Sequence, residues 1–415
     1  MTATTLCPDV LVIGAGPAGL TAARELASSL PGEVLVLDRE AQSGGIPRHS
    51  DHTGYGMRDL KRVMTGPAYA RRLSLRALDA GAIVRTGAMV THWLDEHSVQ
   101  ATTPEGLLRI DAKAIVLATG ARERPRSARL IPGTRPDGVL TTGQLQNLVH
   151  VHHQNVGKRA VVVGGELVSW SAVLTLRGAG ARTALMTTQY PRPDAYSAFR
   201  LGGKALMREP VATSTRVVRI LGRRRVEGVE IEHIPTGQRR IVECDCVVFS
   251  GDWIPDHELA RSAGLDMDSS SKSPLVDAAQ RTSRAGVFAA GNLLHPVDTA
   301  DIAALGGQHV ARGVLDWLGG DRPDAESVRV QVEWPLRWVA PGVLRRGDGP
   351  PARGRLLMWV EDYVARPTVV VRQAGSVIGR RRLLWPAAPG RIFRVPFDVL
   401  ANLSWSAGPI TVKIE

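Results

Sequence analysis

Residues 9–20 read DVLVIGAGPAGL, and this stretch decides the fold. Val10 to Ile13 form a short continuous apolar run, the pattern of a strand buried on both faces. Gly14, Gly16 and Gly19 follow as G-x-G-x-x-G. In such a turn the first glycine permits the tight bend and the second lets backbone approach a pyrophosphate. The third lets the helix pack close to the strand. The next residues, TAARELASS, carry a helical pattern, so free N–H groups at the helix start face an anion. A second apolar run, VLVLD, ends in Asp38, where a carboxylate meets adenosine ribose hydroxyls. Strand, glycine turn, helix, strand and acid in one register predict a Rossmann unit that binds a dinucleotide.

A second strand–turn–helix pattern occurs at 160–170, AVVVGGELVSW, followed by SAVLTLRGAGA. Here Gly164 keeps the first position, but Glu166 stands at the second and Ser169 at the third. A carboxylate near a pyrophosphate is repulsive at short range. It suits a helix N-terminus, so Glu166 could occupy the dipole site itself. The next strand-like run, ARTALMTT, ends without an acid for NAD and without an arginine cluster for NADP. The fold is expected to be kept, and nicotinamide binding is left open.

The chain has 415 residues, enough for two or three domains. Its formal charge of +12 raises nucleic acid as a partner, but the basic residues form no long block. Aromatics are 5% and no RNA-binding or helix-turn-helix signature occurs, so no nucleic acid is expected. The opening MTATTLCPDV has neither a basic segment nor a signal-length apolar run, and no stretch of membrane-spanning length follows. With only Cys7, Cys244 and Cys246, a disulfide framework is excluded and a cytoplasmic, reducing setting is expected.

Three further pieces complete the pattern. Arg39 and Glu40 lead to Gly44-Gly45, IVLATG (115–120) is a strand ending in Thr119-Gly120, and GVFAAGN (286–292) precedes a helical stretch rich in Ala and Gly. On these motifs the chain resembles the flavoproteins with two dinucleotide-binding domains, the pyridine nucleotide–disulfide oxidoreductase superfamily, over roughly residues 8–320. The resemblance implies FAD in the first Rossmann unit. The implied FAD contacts are Gly14, Ala15, Gly16, Pro17, Ala18, Gly19, Asp38, Arg39, Gly45, Ile46, Arg48, Val90, Thr119, Gly120, Gly291 and Asn292. Family members often carry Asp where this chain has Asn292, which keeps a hydrogen-bonding amide and drops the charge.

The disulfide-reductase branch carries a redox cysteine pair after the double glycine, and the thioredoxin-reductase branch a C-x-x-C in its second domain. This chain reads GGIPRHSDHTGYGM at the first place and has no C-x-x-C. It is similar instead to a subgroup without that disulfide, which includes flavoprotein subunits related to hydrogen cyanide synthase, amine and imino-acid dehydrogenases, and oxidoreductases accompanying glycerol-3-phosphate dehydrogenase. Arg48, His49, His52 and Tyr55 are then candidates for the flavin or substrate side. His49 and His52 are the candidate catalytic residues, as general base or as a charge beside reduced flavin. The other reading is a polar loop that anchors the FAD pyrophosphate. Cys244 and Cys246, spaced i, i+2 in IVECDCVVFS, are expected as buried thiols on one face of a strand.

LVHVHHQN (148–155) is read as a solvated loop, with no metal site assigned, and Asp298 and Thr299 as caps of the following helix. His295, just before them, could lie near the isoalloxazine by resemblance only. Beyond residue 325, short strand-like runs alternate with Pro/Gly segments. The expected fold is α/β: two Rossmann-like dinucleotide-binding domains, the second inserted in the first, plus a C-terminal all-β module. The boundaries are 1–122 and 251–324 for the FAD domain, 123–250 for the NAD(P)-binding-like domain, and 325–415 for the β module. The expected function is an FAD-dependent oxidoreductase that moves a hydride between a small-molecule substrate or NAD(P)H and the flavin. The alternative is an FAD-holding electron-transfer subunit, with a second flavoprotein subunit or a homodimer as the protein partner.

Overall fold

The computed structural model describes residues 4–192, 210–322 and 326–415. The expected boundary at 324/325 lies outside them. Two compact units emerge. One comprises Met1–Arg48, Gly54–Ala121 and Pro255–Glu415, the other His49–Thr53 and Arg122–Ile254.

The chain enters the first unit as β1 (Val10–Ile13), turns into α1 (Pro17–Ser29) and returns as β2 (Val34–Leu37). It continues through α2 (Gly66–Asp79), β3 (Ile83–Arg85) and β4 (Ala114–Leu117). The second unit repeats the motif with β5 (Arg159–Val163) and α3 (Leu167–Gly178). The first unit then resumes with β6 (Val287–Ala289) and α4 (Ala300–Leu318). Its sheet runs β6-β4-β1-β2-β3, parallel throughout.

Every residue of β1, β2 and β4 is buried, because both faces of the sheet are covered. Val10, Val12, Val34 and Val36 pack with α1 residues such as Leu20 and Leu26. Leu11, Ile13, Leu35 and Leu37 pack with Val99 and Ile110 of a four-stranded sheet (Thr4–Leu6, Met89–Trp93, Ser98–Thr103, Gly106–Asp111). Helix α1 begins at Gly16 with Pro17 in its first turn and stops at Leu30, which is extended before Pro31. Helix α4 packs on α1 so closely that a Cβ at Gly307 would lie 2.0 Å from the Ala18 carbonyl oxygen.

In the second unit a parallel sheet runs in the order Val139–Thr141, Cys246–Phe249, β5, Arg182–Thr187, Val211–Ala212. Three antiparallel strands follow (Thr215–Leu221, Gly228–His233, Gln238–Glu243). Two sequence expectations change here. Cys244 and Cys246 do not share a strand face. The chain leaves one strand at Glu243 and starts the next at Cys246, with Asp245 between them accepting the N–H groups of Lys158 and Arg159. Cys246 packs with Trp170 and Leu176, and Cys244 packs with Val217 and Ile220. The histidine stretch is not a plain loop: Asn147–Val151 forms a π-helical turn.

Residues 326–415 form two sheets. Five strands run in the order Val343–Arg345, Ser327–Val332, Ile410–Ile414, Thr368–Gln373, Ser376–Arg382, and three in the order Leu336–Ala340, Arg355–Val360, Phe393–Pro396. Their inward residues, among them Val330, Leu356, Val371, Val395 and Val412, form one core. Asp277 ties this segment to the rest of the first unit. Its carboxylate accepts from Arg281 Nε at 2.7 Å and Arg345 Nε at 3.0 Å, and from the backbone N–H of Ala279 and Arg281. Full burial of that carboxylate is tolerable only because every lone pair is used. Among the described residues, no helix is long and apolar enough to cross a membrane.

The α1–α4 contact generates a test. Gly307→Ala drives a methyl into the Ala18 carbonyl and is expected to cost about 2–3 kcal/mol in urea unfolding. Gly178→Ala, at a helical position with open space around it, is expected to gain ~0.5 kcal/mol. Equal effects of the two would refute the close-approach account.

Candidate functional site

The β1–α1 turn is built by exclusion of side chains. Gly14 has φ +109°, and a Cβ there would lie 2.4 Å from the Ala118 oxygen. A Cβ at Gly19 would lie 1.9 Å from the Gly14 oxygen, whereas nothing lies within 4 Å of one at Gly16. Open space thus stands over the start of α1. That helix has no side-chain cap and no acid in its first turn, so its N–H groups and dipole are uncompensated by the chain. Ala15, Pro17 and Ala18 supply the backbone of the turn. Ala15 N donates to Asp38 Oδ2 at 2.6 Å and Glu40 N to Oδ1 at 2.8 Å. Burial holds the Asp38 carboxyl above the ordinary carboxylate range, and these two amides oppose the shift.

Distant segments close on the turn. A Cβ at Gly45 would be 2.9 Å from Gly16 Cα, and Gly44 N donates to Ala15 O at 2.7 Å. Ile46–His49 then forms a 3-10 turn with Ile46 exposed. Arg48 bonds the Gln42 carbonyl and Glu40, while its buried Nε has no partner. Thr119 Oγ1 donates to the Asp256 carbonyl at 2.7 Å, and Asp256 N donates to Gly120 O. Arg39 pairs with the Asp256 carboxylate at 3.1 Å. Val90 is buried in its strand. Gly291 (φ +70°) would place a Cβ 2.6 Å from Ala18 Cβ. Asn292 Nδ2 donates to the Asp298 carbonyl, and its buried Oδ1 has no partner. A bare helix start, the space over Gly16 and orphaned polar atoms on Arg48 and Asn292 fit an extended ligand rich in phosphate and hydroxyl groups, as FAD is.

His49 and His52 belong to the second unit. His49 is buried. His52 Nδ1 lies 2.8 Å from the Thr53 carbonyl, which can only accept, so Nδ1 carries a proton. In the neutral ring Nε2 then accepts from Ser171 at 2.7 Å, and Gln146 Nε2 donates to the same serine. His52 borders a cavity of about 370 Å³ with Asp51, His150 and Thr175.

The second turn differs from the first in chemistry. Glu166 is the N-cap residue of α3, and its carboxylate lies in the turn. Its Oε2 accepts from Gly165 N at 3.0 Å and its Oε1 from Ser250 Oγ at 2.6 Å. Glu123, also buried, accepts from Gly143 N. Burial holds its carboxyl above the ordinary range, and nearby Glu166 adds to the shift. Arg129 bonds the Ser250 and Gly251 carbonyls beside them. The anion place of this turn is taken by the chain's own side chain.

Sequence reading missed a group around the start of α4. Asp301 takes the backbone N–H and the guanidinium of Arg58, and Tyr69 donates to Asp59 at 2.6 Å. Thr299 does occupy the N-cap position, but its hydroxyl bonds Asp301 and not the helix backbone. Asp298 pairs with Arg394. An acid in a first turn was a legible signal for Asp301, whereas the arginines it and Asp298 bind come from remote segments.

Two measurements follow from this geometry. Gly16→Val leaves the apo fold within about 1 kcal/mol, as an N-cap change in open space, and lowers flavin affinity about tenfold or more, read as flavin absorbance per chain. Glu123 binds its proton more tightly folded than unfolded. The stability this contributes is complete below the unfolded pKa and is lost as pH rises through the folded one. Glu123→Gln is therefore expected to match the unaltered chain near pH 4 and to exceed its unfolding midpoint near pH 8. A difference independent of pH would refute this.

Comparison with known proteins agrees with the first turn. An opine oxidase subunit of Agrobacterium tumefaciens (strain Ach5) is 29% identical over 319 residues, covering 68% of this chain and 61% of the relative. The chain spans about three fifths of the length of the opine oxidase subunits it matches. Thioredoxin reductase of Treponema pallidum (strain Nichols) is 27% identical over 320 residues, 75% of this chain and 98% of that protein. The crystal structure of T. acidophilum thioredoxin reductase has the same fold, with a TM-score of 0.62 and 22% identity over 76% of this chain and 99% of that one. Residues 8–307 match the pyridine nucleotide-disulphide oxidoreductase family, and this chain belongs to that family of FAD-dependent oxidoreductases.

Proposed function

We propose that the chain moves a hydride between a small organic substrate and FAD, with no cysteine relay and without a nicotinamide dinucleotide at the second turn. The observation that carries this reading is the contrast between the two turns: the turn before α1 holds no side chain over Gly16, and the turn before α3 holds the Glu166 carboxylate, bonded to Gly165 N and Ser250. A dinucleotide at the second turn would have to displace a buried carboxylate from its Ser250 and Gly165 bonds and then face its charge. Cysteine placement supports the other half. Cys7 is exposed, and burial pushes the Cys244 and Cys246 thiols up to about 12, far from a reactive thiolate.

The bound flavin supplies the hydride-accepting ring, and the chain binds and orients it. In this reading the α1 N–H groups hold the pyrophosphate and Asp38 the adenosine ribose. Gly45, Thr119, Gly291 and Asn292 line the remainder. His49 and His52 are the proton-handling candidates. The tautomer of His52, set by the Thr53 carbonyl, leaves Nε2 as a proton acceptor relayed to Ser171. A second reading is an FAD-holding electron-transfer subunit of a heteromeric dehydrogenase. The likeness to one subunit of an opine oxidase, over three fifths of that relative's length, favours it.

Anaerobic titration of the purified protein tests both. The expected result is a flavin-containing protein whose visible absorbance stoichiometric NADH and NADPH leave unchanged. Bleaching by either nucleotide would overturn the closed second turn, and protein that never holds flavin would overturn the assignment of the first.

A further inference from the structure

A small pocket lies in the first unit between helix α4 and the C-terminal β segment. His295, Ile302 and Gly306 line one side, and Arg353, Arg355 and Leu357 the other. Its volume is about 20 Å³, room for a water-sized group or a compact two-oxygen head. His295 is buried to 4% exposure, and its Nδ1 has no hydrogen-bond partner. The nearest acid, Asp298, lies 3.7 Å away and is already paired with Arg394.

Charge around this pocket does not balance. Arg394 answers Asp298 and Arg58 answers Asp301. Arg353 and Arg355 have no ion-pair partner among the described residues. Arg353 is exposed and Arg355 half-buried, and partial burial and then the nearby Arg394 disfavour the Arg353 cation. Arg353 also sits at φ +62°, a left-handed backbone that a non-glycine residue adopts only when its surroundings impose it. Two guanidinium groups without an ion-pair partner thus flank a buried imidazole whose Nδ1 makes no hydrogen bond, an arrangement that attracts an anion.

We propose that this pocket holds the carboxylate of the substrate that the flavin oxidises, with Arg353 and Arg355 as its specificity-determining residues. The proposal rests on the flavoprotein reading above and adds a substrate class to it. The cofactor has its own anion site at the start of α1, and Arg353 and Arg355 lie beyond the family match, which ends at residue 307. Planar guanidinium groups suit a two-oxygen anion such as a carboxylate. The pocket is built on the helix that next follows the Gly291–Leu293 turn in the chain.

Ligand-observed NMR on the purified full-length protein, with acetate and inorganic phosphate as probes, tests this, and flavin per chain is measured on the same samples. The expected result is saturable acetate binding that weakens about tenfold in Arg353→Gln and in Arg355→Gln, the loss of one charge-assisted hydrogen bond. Arg355→Lys retains most of it, and flavin content is unchanged in all three. Absence of saturable acetate binding overturns the proposal. So does binding indifferent to both arginines, an adventitious ion only, or phosphate binding tighter than acetate and dependent on the same arginines. Protein that lacks flavin yet binds acetate through these arginines would sink the flavoprotein reading and leave the pocket standing.

Discussion

The first turn of α1 admits no side chains, and the rest of its unit is arranged around that constraint. Gly14 and Gly19 bring strand and helix together, Gly45 closes over Gly16, and Gly291 and Gly307 meet Ala18 from segments almost three hundred residues away in sequence. Each contact replaces a side chain with backbone, so amide groups and a helix dipole converge on one volume. A single added methyl at most of these places would separate elements that must touch. The same crowding that stabilises the packing leaves the space over Gly16 clear.

The second unit shows how little is needed to alter that chemistry while keeping the topology. Its β5 and α3 have the same parallel setting, with a buried sheet and a helix crossing over it. A carboxylate two residues beyond Gly164 fills the turn ahead of the helix from within the chain. Ser250 and Gly165 then complete its bonding. Stability of the turn no longer calls for a ligand, and the cost of ejecting a bonded carboxylate stands against one.

Charge placement divides the β segment in the same way. Asp277 with Arg281 and Arg345 is a satisfied buried cluster, and it fastens the segment. Arg353 and Arg355, on the edge facing α4, are left unmatched. Paired buried ions of the first kind hold structure together, whereas cations without an ion partner at the surface stay available to an anion.

Much of this was readable in the sequence because its cause is local. Apolar runs at Val10, Val34 and Ala114 signal strands covered on both faces. The Gly14–Gly19 spacing with Asp38 signals the turn, and Glu166 shows the altered second turn. The failures share one cause. Spacing alone puts Cys244 and Cys246 on one face, but Asp245 ends a strand because its carboxylate is drawn to Lys158 and Arg159 amides far away in sequence. Thr299 reads as a cap, but Asp301 competes for its hydroxyl. Asp256 under Arg39, and Arg353 and Arg355 opposite His295, carry no spacing signal at all. Backbone geometry and hydrophobic period act over a few residues, so the sequence by itself determined the elements and the bare turn. Which ions meet, which strand stops and which pocket stays charged depend on partners brought together by chain closure, and only the tertiary structure decided those.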